Sequence, residues 1–541
     1  MGRSAVPRKM RVVHISTYDI DGGAARAAFR LHESLLAEGL DSIMLVGVKH
    51  SGAESVHELP RANGTGKILG DLIQKHCIDN NRSHVSTTFF SLGWPGESLW
   101  QHPLVIQADI IHLHWVSGLV SASCLAGLRT LGKPILWTLH DQRTFTGGCH
   151  YTSGCARFEK DCSNCPQLTV DDCGIPAANL ADQRHVLGDS GILIITPSRW
   201  MAECARRSAV LSNARIEVVP YGIDTQRFQA VPQKKARKNL ALPDDDFLLL
   251  FGVDNAGEKR KGLRELFAVL ETCGKDEDFR RASAERKNGL LCFGEVKPAA
   301  TLPLPVRTFG RIRSDEALNS LYSAADLFLL PSLEDNLPNT VLESLCSGTP
   351  VGAFSSGGVP EMVVPGKTGF LAPTGDLPGL ARIILDGAND VQVLRNMRQA
   401  CRKHIETHFT YARHAQSCIR LYEEVLRGAG GKGRATPAIS TVHRDAGCRF
   451  ETVFATALKR VFDNNPDVPL PPANPNSQTD ESHRRSAFNR DVQRLLKRAV
   501  KGSWPYHTAR EALEMEFEIS QDGKAFSRRL SFHLKRLLRR S

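Results

Sequence analysis

The chain has 541 residues, of which 41% are hydrophobic and 23% charged, an ordinary globular composition too long for one compact core, so two or three domains are expected. Its longest apolar runs, Phe247 to Phe251 and Gly191 to Ile195, fall far short of the roughly 18 residues a spanning helix needs, which excludes a transmembrane helix from the reading. The formal net charge of +11 favours anionic partners, but nucleotides, membrane surfaces and nucleic acid all satisfy it, so charge alone selects none of them.

The basic stretch Met1 to Lys9 leads into a strand-like segment broken by polar residues rather than the apolar core of a signal peptide, and a cytoplasmic location is expected. The 14 cysteines are scattered, and Cys204, Cys292 and Cys346 sit in apolar patterns where a thiol packs as a small hydrophobe, which suits a reducing compartment.

Along the chain, short β-branched apolar runs alternate with longer helical patterns, the mark of βαβ units and parallel sheets covered on both faces. The fold class is therefore α/β. Strands are predicted over 10–17, 109–112, 134–139, 191–196 and 215–219, and a helix over 24–37, whose Ala27, Leu31 and Leu35 share one face before Gly39 ends it. After a break near 231–238 the pattern restarts, with strands over 246–252, 289–294, 306–309, 326–330 and 351–354. Helices over 391–408 and 411–428 close this part. The predicted division is 1–225 for an N-terminal Rossmann-like domain, 226–410 for a C-terminal Rossmann-like domain, 411–428 for a closing helix and 429–541 for a linker and basic tail. Ligands of doubly wound sheets bind beyond the carboxyl ends of the strands, so the cleft between the two sheets is the expected site.

Beyond Ala429 the composition turns to Gly, Pro, Asn, Ser and Arg, with Pro466, Pro469, Pro471, Pro472 and Pro475 marking a largely disordered linker. Two later apolar stripes, Phe488 to Ala499 and Phe526 to Leu538, are flanked by arginine and lysine. Such helices lie on anionic membrane surfaces or dock on protein, and the pattern does not choose between them. No recognition helix or basic stretch interleaved with aromatics is present, so nucleic acid is not an expected partner.

The segment from Asp326 to Glu361 carries the densest chemistry. A strand ends at Pro331-Ser332, and a helix begins near Pro338, a residue suited to a first helical position, so that the helix start directs unpartnered N–H groups of Asn339 and Thr340 into the cleft. Asp335 before that helix and Glu343 within it are carboxylates able to grip sugar or ribose hydroxyls, while Gly357 and Gly358 leave room for backbone to approach a ligand, with Glu361 just after. His140-Asp141 follows a predicted strand and so sits at a carboxyl end. Gly22-Gly23 joins the first strand to its helix but lacks the GxGxxG spacing of a dinucleotide site. Cys149, Cys155, Cys162 and Cys165, with His150 beside the first, are dense enough for a structural zinc site, and unligated thiols or disulfides stand as the other readings.

Through PSLEDNLPNTVLESLCSGTPV, SSGGVPEMV and GKTGFL, the chain resembles the retaining, family-4 nucleotide-sugar glycosyltransferases of the GT-B fold, and WTLHDQRTFTGGCHY is similar to the colanic-acid and exopolysaccharide branch. The resemblance spans about Arg11 to Gly428. It implies two facing Rossmann-like domains with the active site in the cleft, and transfer of a hexosyl unit from a UDP- or GDP-sugar to a glycan or lipid-linked acceptor with retention. It implies that the first of two donor glutamates is replaced by Asp335, with Glu334 in the neighbouring register, and that Glu343 is the second, on the ribose. It also places Lys261 before Gly262 on the donor diphosphate, with Arg260 or Lys259 completing a basic pair, Gly22 and Gly23 under the phosphates, and His140 against the transferred sugar. No cofactor and no divalent metal are expected for catalysis. A peripheral association with the inner membrane face through the tail fits a lipid-linked acceptor. A non-catalytic membrane-docking or sugar-nucleotide-binding protein on the same fold is the alternative, since fold alone does not fix function.

Overall fold

A computed structural model describes residues 9–60, 70–71, 73–296, 302–430, 453 and 456–457. The proline cluster and both basic apolar stripes of the tail lie outside the described residues. Among the described residues, no helix is long and apolar enough to cross a membrane.

The first sheet contains β1 (Arg11–Tyr18), β2 (Asp41–Val48), β3 (Val56–Glu58), β4 (Ile110–Leu113), β5 (Ile135–Thr138), β6 (Leu193–Thr196) and β7 (Ile216–Val218), in the order β3-β2-β1-β4-β5-β6-β7. The second contains β8 (Phe247–Val253), β9 (Asn288–Gly294), β10 (Val306–Thr308), β11 (Leu327–Leu330), β12 (Val351–Phe354) and β13 (Gly369–Ala372), in the order β10-β9-β8-β11-β12-β13. All pairings are parallel, with Val13 opposite Ile43 and Ile111 in one sheet and Leu249 opposite Leu290 and Leu327 in the other. Continuous burial of β4, β5, β6 and β8 explains why their sequences run apolar without alternation, because helices cover both faces. β2, β3 and β13 are found beyond the predicted strands; β3 and β13 have only 3 and 4 residues.

The closing helix, Tyr411–Gly430, does not stay with the second sheet. Its Ala415, Cys418 and Tyr422 enter a core with Val12, Leu31, Ile110, Leu136 and Ile195 of the first. The chain thus returns to its starting domain, and Tyr422 Oη sits 2.7 Å from His112 Nδ1 beneath β4. In each sheet strand order reverses at one point, between β1 and β4 and between β8 and β11, and both reversal points open toward one cleft.

Candidate active site

The cleft holds a cavity of about 370 Å³ lined by the segments that leave the carboxyl ends of β1, β5, β8 and β11. Gly22, Gly23, His140, Arg260, Lys261, Asp335, Asn339, Thr340 and Glu343 all line it. A smaller side chamber of about 70 Å³, with Trp94 and Trp137 in its walls, shares Trp115, His140, Asp141 and His150 with the main cavity.

Helices open on this cavity from both domains. The helix Gly23–Ala37 follows Gly22 and the helix Asn339–Cys346 follows Pro338, and neither start has a side-chain cap. Their first-turn N–H groups are therefore available to an anion, each helix end favouring negative charge by roughly 0.3–1 kcal/mol. Pro338 corrects the sequence reading by one position: its ψ of 123° is still extended, and the helix starts at Asn339. Asn339 Nδ2 donates to the Gly23 carbonyl at 2.8 Å, so the two helix starts are tied together, while Asn339 Oδ1 has no partner.

The basic pair is Lys261 with Arg260. Lys261 Nζ donates to Asp335 Oδ2 at 2.6 Å, and Arg260 approaches Asp335 Oδ1 at 3.4 Å while pairing with Glu258 at 2.7 Å. Burial works to raise the Asp335 pKa, but the two cations outweigh it and hold the carboxyl below its ordinary range. Lys259 does not join them, because its ammonium bonds the His84 carbonyl at 2.6 Å. Gly262 is demanded by geometry: its φ is +73°, and a Cβ there would lie 1.8 Å from the Pro331 carbonyl oxygen. This close approach seats the Lys261 turn under the end of β11.

Glu334 is turned away from the cavity's chemistry. It accepts from Ser153 N at 3.0 Å and Thr152 Oγ1 at 3.3 Å, on a loop of the first domain, which leaves Asp335 as the carboxylate that faces Lys261. The same loop stacks Tyr151 against the Arg260 guanidinium at 3.9 Å. Glu343 is buried and held by Arg30 Nη2 at 2.8 Å and Tyr322 Oη at 3.2 Å. Arg30, Tyr151 and Asn336 were not read from sequence. Asn336 carries the only clear signal among them, since it stands next to Asp335 in the matching motif, and it bonds the Leu139 and His140 carbonyls at 3.0 and 3.1 Å.

Gly357 and Gly358 are corrected. They do not line the cavity; a Cβ on Gly357 would meet the Asp335 carbonyl oxygen at 1.6 Å and one on Gly358 the Asn336 oxygen at 2.0 Å. The room they leave is filled by the loop that presents Asp335, so they support that loop from behind. Glu361 also lies outside the cavity, capping the helix Arg199–Arg207 through Arg199 N at 2.9 Å and Trp200 N at 3.1 Å.

His140 reaches the cavity, but both ring nitrogens are already engaged, Nδ1 with Tyr221 Oη at 2.6 Å and Nε2 with His114 Nδ1 at 3.1 Å. A hydrogen bond to a sugar would require releasing one of them. Burial pushes His140 down to about 4 despite Asp141 beside it, so the ring is neutral near pH 7. The network continues inward from His114 Nε2 to His14 Nδ1 at 2.9 Å, and His14 Nε2 ends it without a partner. Asp141, by contrast, is held low against its burial by His150 Nδ1 at 2.6 Å, Arg143 N and Trp115 Nε1. His150 Nε2 meets Ser91 Oγ at 2.9 Å, so this histidine is not turned toward the cysteines.

Among the described residues, the group whose ligand atoms all come within 4.8 Å is His14, His112 and His114. Apart from His14 Nε2, their nitrogens are already bonded to one another, to His140, to Thr138 or to Tyr422, so an ion would have to break that network. Cys149, Cys155, Cys162 and Cys165 surround one small cavity without forming a disulfide, and no three of their sulfurs reach that spacing.

Residues 278–390 match the family model described as glycosyl transferases group 1. The chain is 25% identical over 379 residues to the putative colanic acid biosynthesis glycosyl transferase WcaC of Escherichia coli, covering 65% of this chain and 85% of that one. It is 26% identical over 309 residues to the D-inositol 3-phosphate glycosyltransferase of Streptomyces avermitilis, covering 55% of this chain but only 61% of that relative's length. In fold it is similar to Anabaena Alr3699/HepE in complex with UDP-glucose, at 15% identity and a TM-score of 0.51 over 77% of this chain and all of that one. WaaG, a glycosyltransferase involved in lipopolysaccharide biosynthesis, matches at 15% identity and a TM-score of 0.51 over 78% of this chain and 100% of its own. The chain therefore has the GT-B fold, and part of its second domain matches the group 1 glycosyltransferase model.

Proposed function

We propose that this protein is a retaining, family-4 glycosyltransferase that moves a hexosyl unit from a UDP- or GDP-sugar to a glycan or lipid-linked acceptor in exopolysaccharide or cell-surface glycan synthesis. The observation that carries the reading is the convergence of uncapped helix starts at Gly23 and Asn339 with Lys261, Arg260 and Glu343 on one cavity. Glu343, preset by Arg30 and Tyr322, has the geometry of a ribose acceptor. Lys261 and Arg260, now paired with Asp335, exchange part of that pairing for the donor diphosphate, and they stabilise the charge that grows on it as the glycosidic bond breaks. The departing phosphate takes the proton of the acceptor hydroxyl on the same face of the sugar. Asp335 serves the sugar end, with His140 forming the wall beside it.

The tryptophan-lined side chamber next to His140 and Asp141 is the acceptor approach in this reading. Transfer proceeds without a bound divalent metal, and the tail brings the enzyme to the inner membrane face. The WcaC similarity supports the exopolysaccharide assignment. Calorimetric titration with UDP, GDP and their sugars tests it: one nucleotide binds and the affinity falls in Lys261→Met and Glu343→Gln, whereas absence of binding by every nucleotide overturns the reading.

A further inference from the structure

The loop between β5 and the helix Ile175–Leu187 places Cys149, Cys155, Cys162 and Cys165 around one small cavity together with Gly147, Gly148 and Gln167. Two of these sulfurs receive a backbone N–H. Gly147 N donates to Cys162 Sγ at 3.3 Å and Arg157 N to Cys155 Sγ at 3.4 Å. In the Cys155–Arg157 pair the N–H two residues downstream turns back onto the sulfur. A neutral thiol is a weak acceptor, so backbone donors aimed at Cys155 and Cys162 suit sulfurs that carry charge once a cation lies between them.

Charge and backbone agree with this. Four thiolates around a divalent ion carry a net charge of −2, and the Arg82 and Arg143 guanidiniums interact with this cluster, Arg82 with Cys149 and Cys165 and Arg143 with Cys149 and Cys162. Cys162 and Asn164 adopt left-handed φ values of 56° and 50°; asparagine enters this region readily, but a cysteine there is held by its surroundings. That turn brings Cys162 and Cys165 onto the same cavity.

We propose that Cys149, Cys155, Cys162 and Cys165 bind one structural zinc ion as thiolates, closing the loop that holds Tyr151 and Ser153 against the second domain. A tetrahedral site with Zn–S distances of roughly 2.3 Å draws the sulfurs closer than they stand in this structure. The buried histidine group is the weaker host, because its nitrogens already satisfy one another. The cage brackets Tyr151, whose ring supports Arg260, and Thr152 and Ser153, which hold Glu334. Zinc would thus stiffen one wall of the donor site. Only this last link rests on the proposed function; the metal assignment stands on the cysteines alone.

The test is metal analysis of the full chain purified without chelator, by plasma mass spectrometry, with cobalt(II) exchange read by absorption. One zinc per chain, its loss in Cys155→Ser and Cys165→Ser but not in Cys204→Ser, and strong thiolate-to-cobalt charge-transfer bands are expected. Cys155 and Cys165 are only half-buried, and if either variant misfolds the wild-type cobalt spectrum decides alone. A chain that takes up neither zinc nor cobalt, cobalt spectra without thiolate bands, zinc retained in both variants, or disulfides among the four cysteines by non-reducing mass spectrometry would each overturn the proposal. Because metal content is read without nucleotide, its outcome is independent of whether a nucleotide-sugar binds.

Discussion

Replacing Lys261 with methionine removes the ammonium that lies 2.6 Å from Asp335 while keeping most of the side-chain stem. The cost to the fold is small. Lys261 is 27% exposed, and Asp335 keeps Arg260 at 3.4 Å, Ser332 Oγ at 3.4 Å and Asn336 N at 3.2 Å, so a partly screened pair of this kind contributes no more than about 1 kcal/mol. The cost to the donor is larger, because a hydrogen bond to a charged group is worth about 1.5–3 kcal/mol, which corresponds to roughly 10- to 150-fold weaker binding of the nucleoside diphosphate. Loss of a group that meets the developing negative charge lowers kcat by a further factor of about 10²–10³. Calorimetry gives the affinity, release of nucleoside diphosphate gives the rate, and thermal unfolding gives the control. Lys259→Met is the matched comparison: its ammonium is held by the His84 carbonyl, and its affinity stays within about twofold of wild type. Equal losses in the two variants, or an unchanged affinity in Lys261→Met with its melting point intact, would refute the assignment of Lys261 to the diphosphate.

Other consequences concern stability. Arg237 and Asp326 form a fully buried pair at 2.7 Å, and Arg237 also caps the carbonyls of Ala324, Asp244 and Asp246, so Arg237→Met is expected to cost about 3 kcal/mol in urea unfolding by leaving those carbonyls unpaired and Asp326 with Arg395 at 3.2 Å as its remaining cation. Gly262→Ala combines a left-handed backbone with a collision on the Pro331 carbonyl and is expected to cost at least about 2 kcal/mol, whereas an unchanged urea midpoint would contradict the close approach of this turn to β11. His32, His112, His140 and His414 are pushed by burial to about 4, 3, 4 and 3, so they are neutral in the fold and bind protons near pH 6.5 only when unfolded. Stability is then fully present above about pH 6.5 and falls as the pH drops toward 4, by up to ~1.4 kcal/mol per pH unit for each group; a urea midpoint that is flat from pH 7.5 to 5.5 would contradict this burial. Asp335 acts in a lower window, its depressed carboxyl contributing above about pH 4, so the wild type's margin over Asp335→Asn should persist to that point and vanish only below it.

Strands such as Phe247–Val253 and Leu327–Leu330 were legible because burial on two faces leaves continuous apolar runs, whereas β2, β3 and β13, only partly buried, were missed. Residues that line the cavity were legible where a strand end or the motif marked them, which covers His140, Lys261, Asp335 and Glu343. What escaped were partners chosen across the chain. Arg30 sits mid-helix and reads as a solvated face, yet it pairs with Glu343 across 313 positions of sequence. The glycines at 357 and 358 carry the right composition for ligand approach, and only the fold reveals that the approaching backbone is the protein's own. Neither kind of contact leaves a periodic trace.

These long-range partners also explain how the site is set. The second domain's side of the cleft is fastened to the opposite domain at several points: Glu343 to Arg30, Asn339 to Gly23, Asn336 to the carbonyls after β5, Glu334 to Ser153, and Glu361 to the helix at Arg199. Hydrogen bonds of this kind contribute only about 0.5–1.5 kcal/mol each, or about 1.5–3 kcal/mol where a charge takes part, so closure is held by their number rather than by one strong bond. Rotating the domains apart would release Glu343 from its guanidinium and Arg260 from Tyr151 at once. In the proposed function donor recognition and domain closure are therefore coupled, and Asn336→Ala, which removes the amide that bonds the Leu139 and His140 carbonyls from the cavity wall, is expected to weaken nucleotide binding by loosening closure. A raised Kd with an expanded radius of gyration in small-angle scattering supports that coupling; a raised Kd with the wild-type radius would place Asn336 on the ligand instead.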